Sequence, residues 1–89
     1  MAEKNLKIIN EKGLHARASA RLVEVVEAHD ASAIVRKDGM DVSGNSIMGL
    51  LMLAASKGST IQIETSGPQA DALALALERL VAERFGEDY

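Results

Sequence analysis

Apolar and polar residues alternate in some stretches of the chain and recur every three or four positions in others. Leu6 and Ile8, two apart within Lys4–Asn10, predict a short strand with one face inward, although Ile9 spoils strict alternation. Asn10-Glu11-Lys12-Gly13 reads as polar turn material. From Ala16 to about Glu27 the spacing changes: Ala18, Leu22, Val25 and Val26 fall on one helical stripe, with Arg21, Glu24 and Glu27 elsewhere. His29 and Asp30 mark the end of that helix, and His29 there reads as a surface residue compatible with the dipole.

Ala33–Lys37 and Met40–Ser43 flank Asp38-Gly39, a strong signal for a two-residue hairpin turn. The turn sets Lys37 opposite Met40, Arg36 opposite Asp41 and Val35 opposite Val42. An apolar pair then faces inward and an opposite-charge pair outward. Gly44-Asn45-Ser46 breaks the strand and can cap a short helix from Ile47 to about Ala55, with Gly58 as its stop. Thr60–Glu64 alternates cleanly as a half-buried strand. Ser66-Gly67-Pro68 opens the longest helix, with proline in its first turn and Asp71 near the positive end. Leu73, Leu77, Leu80 and Val81 form its stripe, which runs to about Phe85 before Gly86.

The order is therefore β-α-β-β-α-β-α. Strands with a single apolar side call for one sheet covered on one face by helices, an α+β arrangement. No repeat, linker or low-complexity stretch interrupts it, and residues 1–89 are expected to form one domain.

Composition narrows the function. A 47% hydrophobic and 26% charged chain is that of a folded domain rather than a disordered one. Phe85 and Tyr89 are the sole aromatics, so base-stacking platforms are missing, and the net charge of -3 argues against nucleic acid as a partner. Without cysteine, disulfides, thiolate metal sites and thiol nucleophiles are excluded. The first residues, Met1-Ala2-Glu3-Lys4-Asn5, lack the apolar core of a signal peptide. The longest apolar run, Ile47 to Ala55, is far below the roughly 18 residues a membrane span needs. A cytoplasmic protein without membrane insertion is expected.

The candidate chemistry lies in Gly13-Leu14-His15-Ala16-Arg17-Ala18-Ser19, where a chain leaving a strand enters a helix. The first amides of a helix have no partner inside it and the dipole is positive there, which suits an anion and above all a phosphate. A phosphoryl group on the His15 ring would meet those amides and the Arg17 guanidinium, whose fork fits its oxygens. Position alone leaves the plainer alternative open: His15 as an ordinary cap and Arg17 as a solvated charge.

The run Gly-Leu-His-Ala-Arg-Ala-Ser-Ala resembles the active-site signature of the HPr family, the histidine-containing phosphocarriers of the bacterial phosphotransferase system. The resemblance extends over nearly the whole chain; Ala18 departs from it, since many members carry proline there. It implies an open-faced β-sandwich, with a four-stranded antiparallel sheet ordered 1-4-2-3 and three helices on one face. It also implies that His15 accepts phosphate on Nδ1, that Arg17 steadies the group, and that the backbone amides of Ala16 and Arg17 assist. Enzyme I would be the donor and a IIA protein or domain the acceptor. Neither a metal nor a cofactor is implied, and the carrier, a monomer, would be a substrate of partner enzymes rather than an enzyme. Sugar uptake and nitrogen-related regulation are two branches with this signature, and both stay open.

Asn45-Ser46-Ile47-Met48-x-Leu50 resembles the second signature of the family, whose serine is a regulatory phosphorylation site in many members, acted on by a serine kinase/phosphorylase. By its position alone Ser46 reads as a helix cap, and the two roles are compatible. Leu50 and Leu53 are expected to pack inward. Ile47, Met48, Leu51 and Met52 would then form an outward patch that, with Ala20, serves as a partner-binding surface. Gly49 in mid-helix costs roughly 1 kcal/mol against alanine, consistent with a close approach.

Two rivals accompany the carrier reading. One is a small anion-binding regulatory α/β domain with no covalent adduct. The other is a hydrolase using His15 as general base, for which the sequence offers no acid tied to His15 and no nucleophile elbow.

Overall fold

Strand alternation, two helical stripes and a tight hairpin meet around an aliphatic core in the computed structural model, which describes Met1–Tyr89. The strands are β1 (Ala2–Lys7), β2 (Ser32–Lys37), β3 (Met40–Ser43) and β4 (Thr60–Ser66). The helices are α1 (Ala16–Glu27), α2 (Ile47–Met52) and α3 (Ala70–Ala82). All pairings are antiparallel and the sheet order is β1-β4-β2-β3, as the family resemblance implied.

The central strand β4 shows why one face is covered. Ile61, Ile63 and Thr65 are buried, while Gln62 and Glu64 between them are half-exposed. Leu6, Ala33 and Val35 join the buried side, and Leu22, Leu50, Leu73 and Leu77 from the three helices close over it. The hairpin register is the expected one, Val35 against Val42 and Arg36 against Asp41. Asp38 and Gly39 both hold positive φ, 51° and 82°, as a type I′ turn requires. Arg36 reaches Asp41 at 3.1 Å and Glu64 at 2.8 Å.

Several boundaries differ from the sequence reading. β1 lies earlier, ending at Lys7; Ile8 is fully buried beyond it and pairs with the loop before β4, its amide to Ser59 O at 2.8 Å. Asn10 opens the turn expected there, the Gly13 amide donating to its carbonyl at 3.2 Å, yet its side chain is completely buried. α2 stops at Met52 rather than near Ala55, because Leu53 turns into the core and Ala54 takes φ 52°, so Gly58 is not its stop. Pro68 sits in the turn before α3 rather than in its first turn, and Asp71 does lie in that turn. Within the two stripes Val25 and Leu80 are half-buried.

The largest difference is at the end of α3, which closes at Ala82 instead of about Phe85. Arg84, Phe85 and Gly86 all adopt left-handed backbone, with φ of 57°, 56° and 82°. Such backbone costs a non-glycine residue about 1–2 kcal/mol. Phe85 is wholly buried, which returns about 1.5–3 kcal/mol. The core therefore bends the chain against its local preference, and the bend sends the C-terminal residues back toward the start of α1.

Candidate functional site

Gly13 brings the loop into α1. Its φ is 64°, and a Cβ there would lie 2.5 Å from the Ala55 carbonyl oxygen, so glycine is required on two counts. The next amide, Leu14 N, donates to that same oxygen at 2.8 Å, fastening the loop after α2 beside the start of α1. His15 is the N-cap of α1, in extended conformation, and its side chain makes no capping bond. The first helical hydrogen bond runs from the Ser19 amide to His15 O at 2.8 Å. The amides of Ala16, Arg17 and Ala18 precede it and have no acceptor within the helix. Ala18 is buried, and Ser19, also buried, turns its Oγ to Leu14 O at 3.3 Å.

The imidazole points instead to the C-terminal segment. His15 Nε2 lies 2.6 Å from Glu87 Oε2, with the two side chains 27% and 13% exposed. Asn10 holds the other carboxylate oxygen: its Nδ2 donates to Glu87 Oε1 at 2.8 Å and to Gly13 O at 2.9 Å, while its Oδ1 is buried without a partner. Burial would raise the Glu87 carboxyl, but the hydrogen bonds from Asn10 and His15 and the charges of His15 and Lys12 outweigh it. The net effect holds Glu87 below its ordinary value of 4.5. An ionised carboxylate can only accept, so the hydrogen between the two belongs to Nε2. In the neutral ring the lone pair is then on Nδ1.

Arg17 is exposed, free of ion pairs, and lines a cleft of about 210 Å³ with Lys12, Arg21, Glu87 and Asp88. On the other side of His15 a groove of about 260 Å³ runs past Leu14 and Ala55 to Leu51. Leu50 and Leu53 are buried as expected, and Ile47, Met48, Leu51 and Met52 are 37–71% exposed, forming the outward patch. Ala20 is half-buried on α1. Ser46 caps α2, its Oγ accepting the Gly49 amide at 3.0 Å. A Cβ on Gly49 would come within 3.0 Å of the Val42 side chain, which accounts for glycine in mid-helix.

A family model described as "PTS HPr component phosphorylation site" matches residues 2–83. The chain belongs to the HPr family. It is 44% identical over 87 residues to phosphocarrier protein HPr of Cupriavidus necator, covering 98% of each chain. It is also 36% identical to phosphocarrier protein NPr of Escherichia coli, over 97% of each. Among solved structures it is similar to HPr-C-His from Thermoanaerobacter tengcongensis, with a TM-score of 0.95, 32% identity and both chains covered in full. Such relatives are carriers by name, which supports a carrying rather than a catalytic role for an HPr-type chain. No helix is long and apolar enough to cross a membrane.

His15 and Arg17 thus share one end of α1 with the apolar groove, whereas Ser46 stands apart at the start of α2. Asn10 and Glu87 were not found from sequence. The sequence ties no acid to His15; the fold supplies one, Glu87, from 72 residues further along the chain. A local pattern carries no sign of such a partner.

Proposed function

We propose that this chain is a phosphocarrier of the phosphoenolpyruvate-dependent phosphotransferase system, acting as one unit over its length. It takes the phosphoryl group from enzyme I on His15 Nδ1 and passes it to a IIA protein or domain. The observation that carries this reading is the hydrogen bond from Nε2 to Glu87, which leaves the Nδ1 lone pair as the nucleophile of a ring seated at an uncapped helix start.

Transfer is an in-line displacement. The Nδ1 lone pair forms the new N–P bond while the bond between phosphorus and the donor breaks, and the electron pair of that bond stays with the donor. The three phosphoryl oxygens are met by the amides of Ala16 and Arg17 and by the Arg17 guanidinium, all unengaged in the free protein. The groove toward Leu51 and the patch of Ile47, Met48, Leu51 and Met52, with Ala20, form the docking surface for both partners. Phosphate on Ser46 would sit at the rim of that surface and weaken docking. The carrier acts as a substrate of its partners, and no step calls for a metal or cofactor.

The test supplies enzyme I, magnesium and phosphoenolpyruvate and reads intact mass. One acid-labile, alkali-stable phosphate is expected on the wild type and on His29→Ala, and none on His15→Ala. An adduct that survives His15→Ala and disappears in His29→Ala would refute the assignment. A chain that binds phosphate reversibly without an adduct would favour the anion-binding alternative.

A further inference from the structure

The C-terminal segment is built at some conformational expense and delivers one carboxylate to one ring. Three successive left-handed residues, Arg84–Gly86, turn the chain back, and buried Phe85 anchors the turn. Glu87 then has both oxygens engaged, Oε2 by His15 Nε2 at 2.6 Å and Oε1 by the buried Asn10 amide at 2.8 Å. Asn10 cannot turn its amide round without losing both of its donor bonds, so the carboxylate is held from behind in one orientation.

We infer that Glu87 is a positioning residue for phosphoryl transfer, acting through the His15 ring from the nitrogen opposite the one that reacts. This rests on the carrier reading above. When Nδ1 forms its bond to phosphorus, the ring that began neutral with a hydrogen on Nε2 becomes a cation. That charge is relieved either by loss of the Nε2 proton to solvent or by a fixed anion beside it. Glu87 is that anion. It stabilises the charge that develops on the ring, and it retains the proton on Nε2 after transfer. Phosphorylated imidazolium is a better leaving group than phosphorylated imidazole, since the departing ring leaves as a neutral molecule. The same carboxylate therefore serves both acceptance and onward donation.

Other charges face the pair. Lys12 from the preceding loop favours an ionised Glu87, and Arg17 and Arg21 from α1 line the same cleft with Asp88 and Tyr89. None of these groups hydrogen-bonds the imidazole, so a change at Glu87 is read at the ring without a substitute partner in place.

The experiment uses the full chain labelled with nitrogen-15, as wild type, Glu87→Gln and Glu87→Ala. Long-range proton–nitrogen spectra of unphosphorylated protein, taken where imidazole is neutral, are expected to give a single His15 tautomer with hydrogen on Nε2 in the wild type. A second population with hydrogen on Nδ1 is expected in Glu87→Ala. After phosphorylation, the pH at which the ring gives up its Nε2 proton is expected to fall by about one pH unit in Glu87→Gln. Above that pH the protonated fraction, and onward transfer with it, drops about tenfold. Unchanged tautomer populations together with an unchanged midpoint would overturn the inference. A wild-type chain that takes no phosphate would sink the carrier reading and this inference with it, whereas a chain that takes phosphate with tautomer and midpoint unmoved by the variants overturns the inference alone.

Discussion

Ser46 and His15 each stand one residue before a helix, and both hold extended backbone: φ −114° and ψ 108° for Ser46, φ −80° and ψ −176° for His15. Ser46 turns its hydroxyl back and takes the Gly49 amide at 3.0 Å, so its polar atom stabilises the helix it starts. His15 makes no such bond; its ring is drawn off by Glu87, and the amides that follow stay open. The difference is one of allocation. A helix start whose cap is satisfied internally is finished as structure, whereas one whose cap is held elsewhere has donors left for an anion. The surroundings agree: the Ser46 helix presents Met48 and Met52 to solvent, and the His15 helix presents Arg17.

The sharpest way to press this contrast is to put charge at the finished start. Ser46→Asp is expected to fold normally, because a carboxylate at a helix start is favourable by about 0.3–1 kcal/mol. Like charges brought together in an interface can cost several kcal/mol, so enzyme I binding should weaken strongly. Met48→Glu should weaken the same binding with Ser46 intact. Calorimetric titration of enzyme I with thermal melts alongside checks both, and unchanged affinity in the two variants would leave Ser46 a plain cap.

Next in size is the open start. Hydrogen bonds to charged groups contribute roughly 1.5–3 kcal/mol, so Arg17→Ala should slow transfer about 10–100-fold while the melt is barely moved. Rapid-quench transfer rates decide it, and equal rates would remove Arg17 from the mechanism.

Stability should separate the two caps in the opposite sense. Ser46→Ala removes a side-chain cap and is expected to cost about 1 kcal/mol in denaturant unfolding. His15→Ala removes no capping bond and is expected to cost less than Ser46→Ala. Equal losses would mean that the two helix starts are not different in kind.

The smallest effect is in pH. Glu87 is held below its ordinary value of 4.5, so its contribution to stability is fully present above that pH and is lost as pH falls through the lowered folded value. Glu87→Gln should abolish this acid-side loss while leaving the curve at neutral pH nearly parallel. Urea midpoints across the acid range measure it.

Much of the molecule was readable from neighbouring residues. Asp38-Gly39 fixed a turn, the turn fixed a register, and that register placed Arg36 by Asp41 as found. The helical stripe of Ala18, Leu22 and Val26 and the inward Leu50 and Leu53 followed from spacing alone. The placing of His15 and Arg17 at the start of α1 and of Ser46 at the start of α2 was legible because a helix start is a local feature.

What escaped was decided at a distance. Glu87 and Asn10 meet across 77 positions, and nothing near either predicts the other. Asn10 does open the turn expected there, but its burial depends on the returning C-terminal segment and leaves no local sign. Phe85 and Arg84 looked helical because local propensity favours continuation, and tertiary burial of the Phe85 ring overrode it. The early end of α2 has the same origin in the burial of Leu53.

In the carrier reading the reacting atom is Nδ1 of His15, at the open helix start and opposite the nitrogen held by Glu87. Phosphorus–nitrogen correlation spectra of the phosphorylated, nitrogen-15-labelled chain address it at the atom concerned. Coupling from phosphorus to His15 Nδ1 is expected, with Nε2 still bearing hydrogen and the amides of Ala16 and Arg17 moved downfield by the new acceptor. Coupling to Nε2, or to His29, would contradict it.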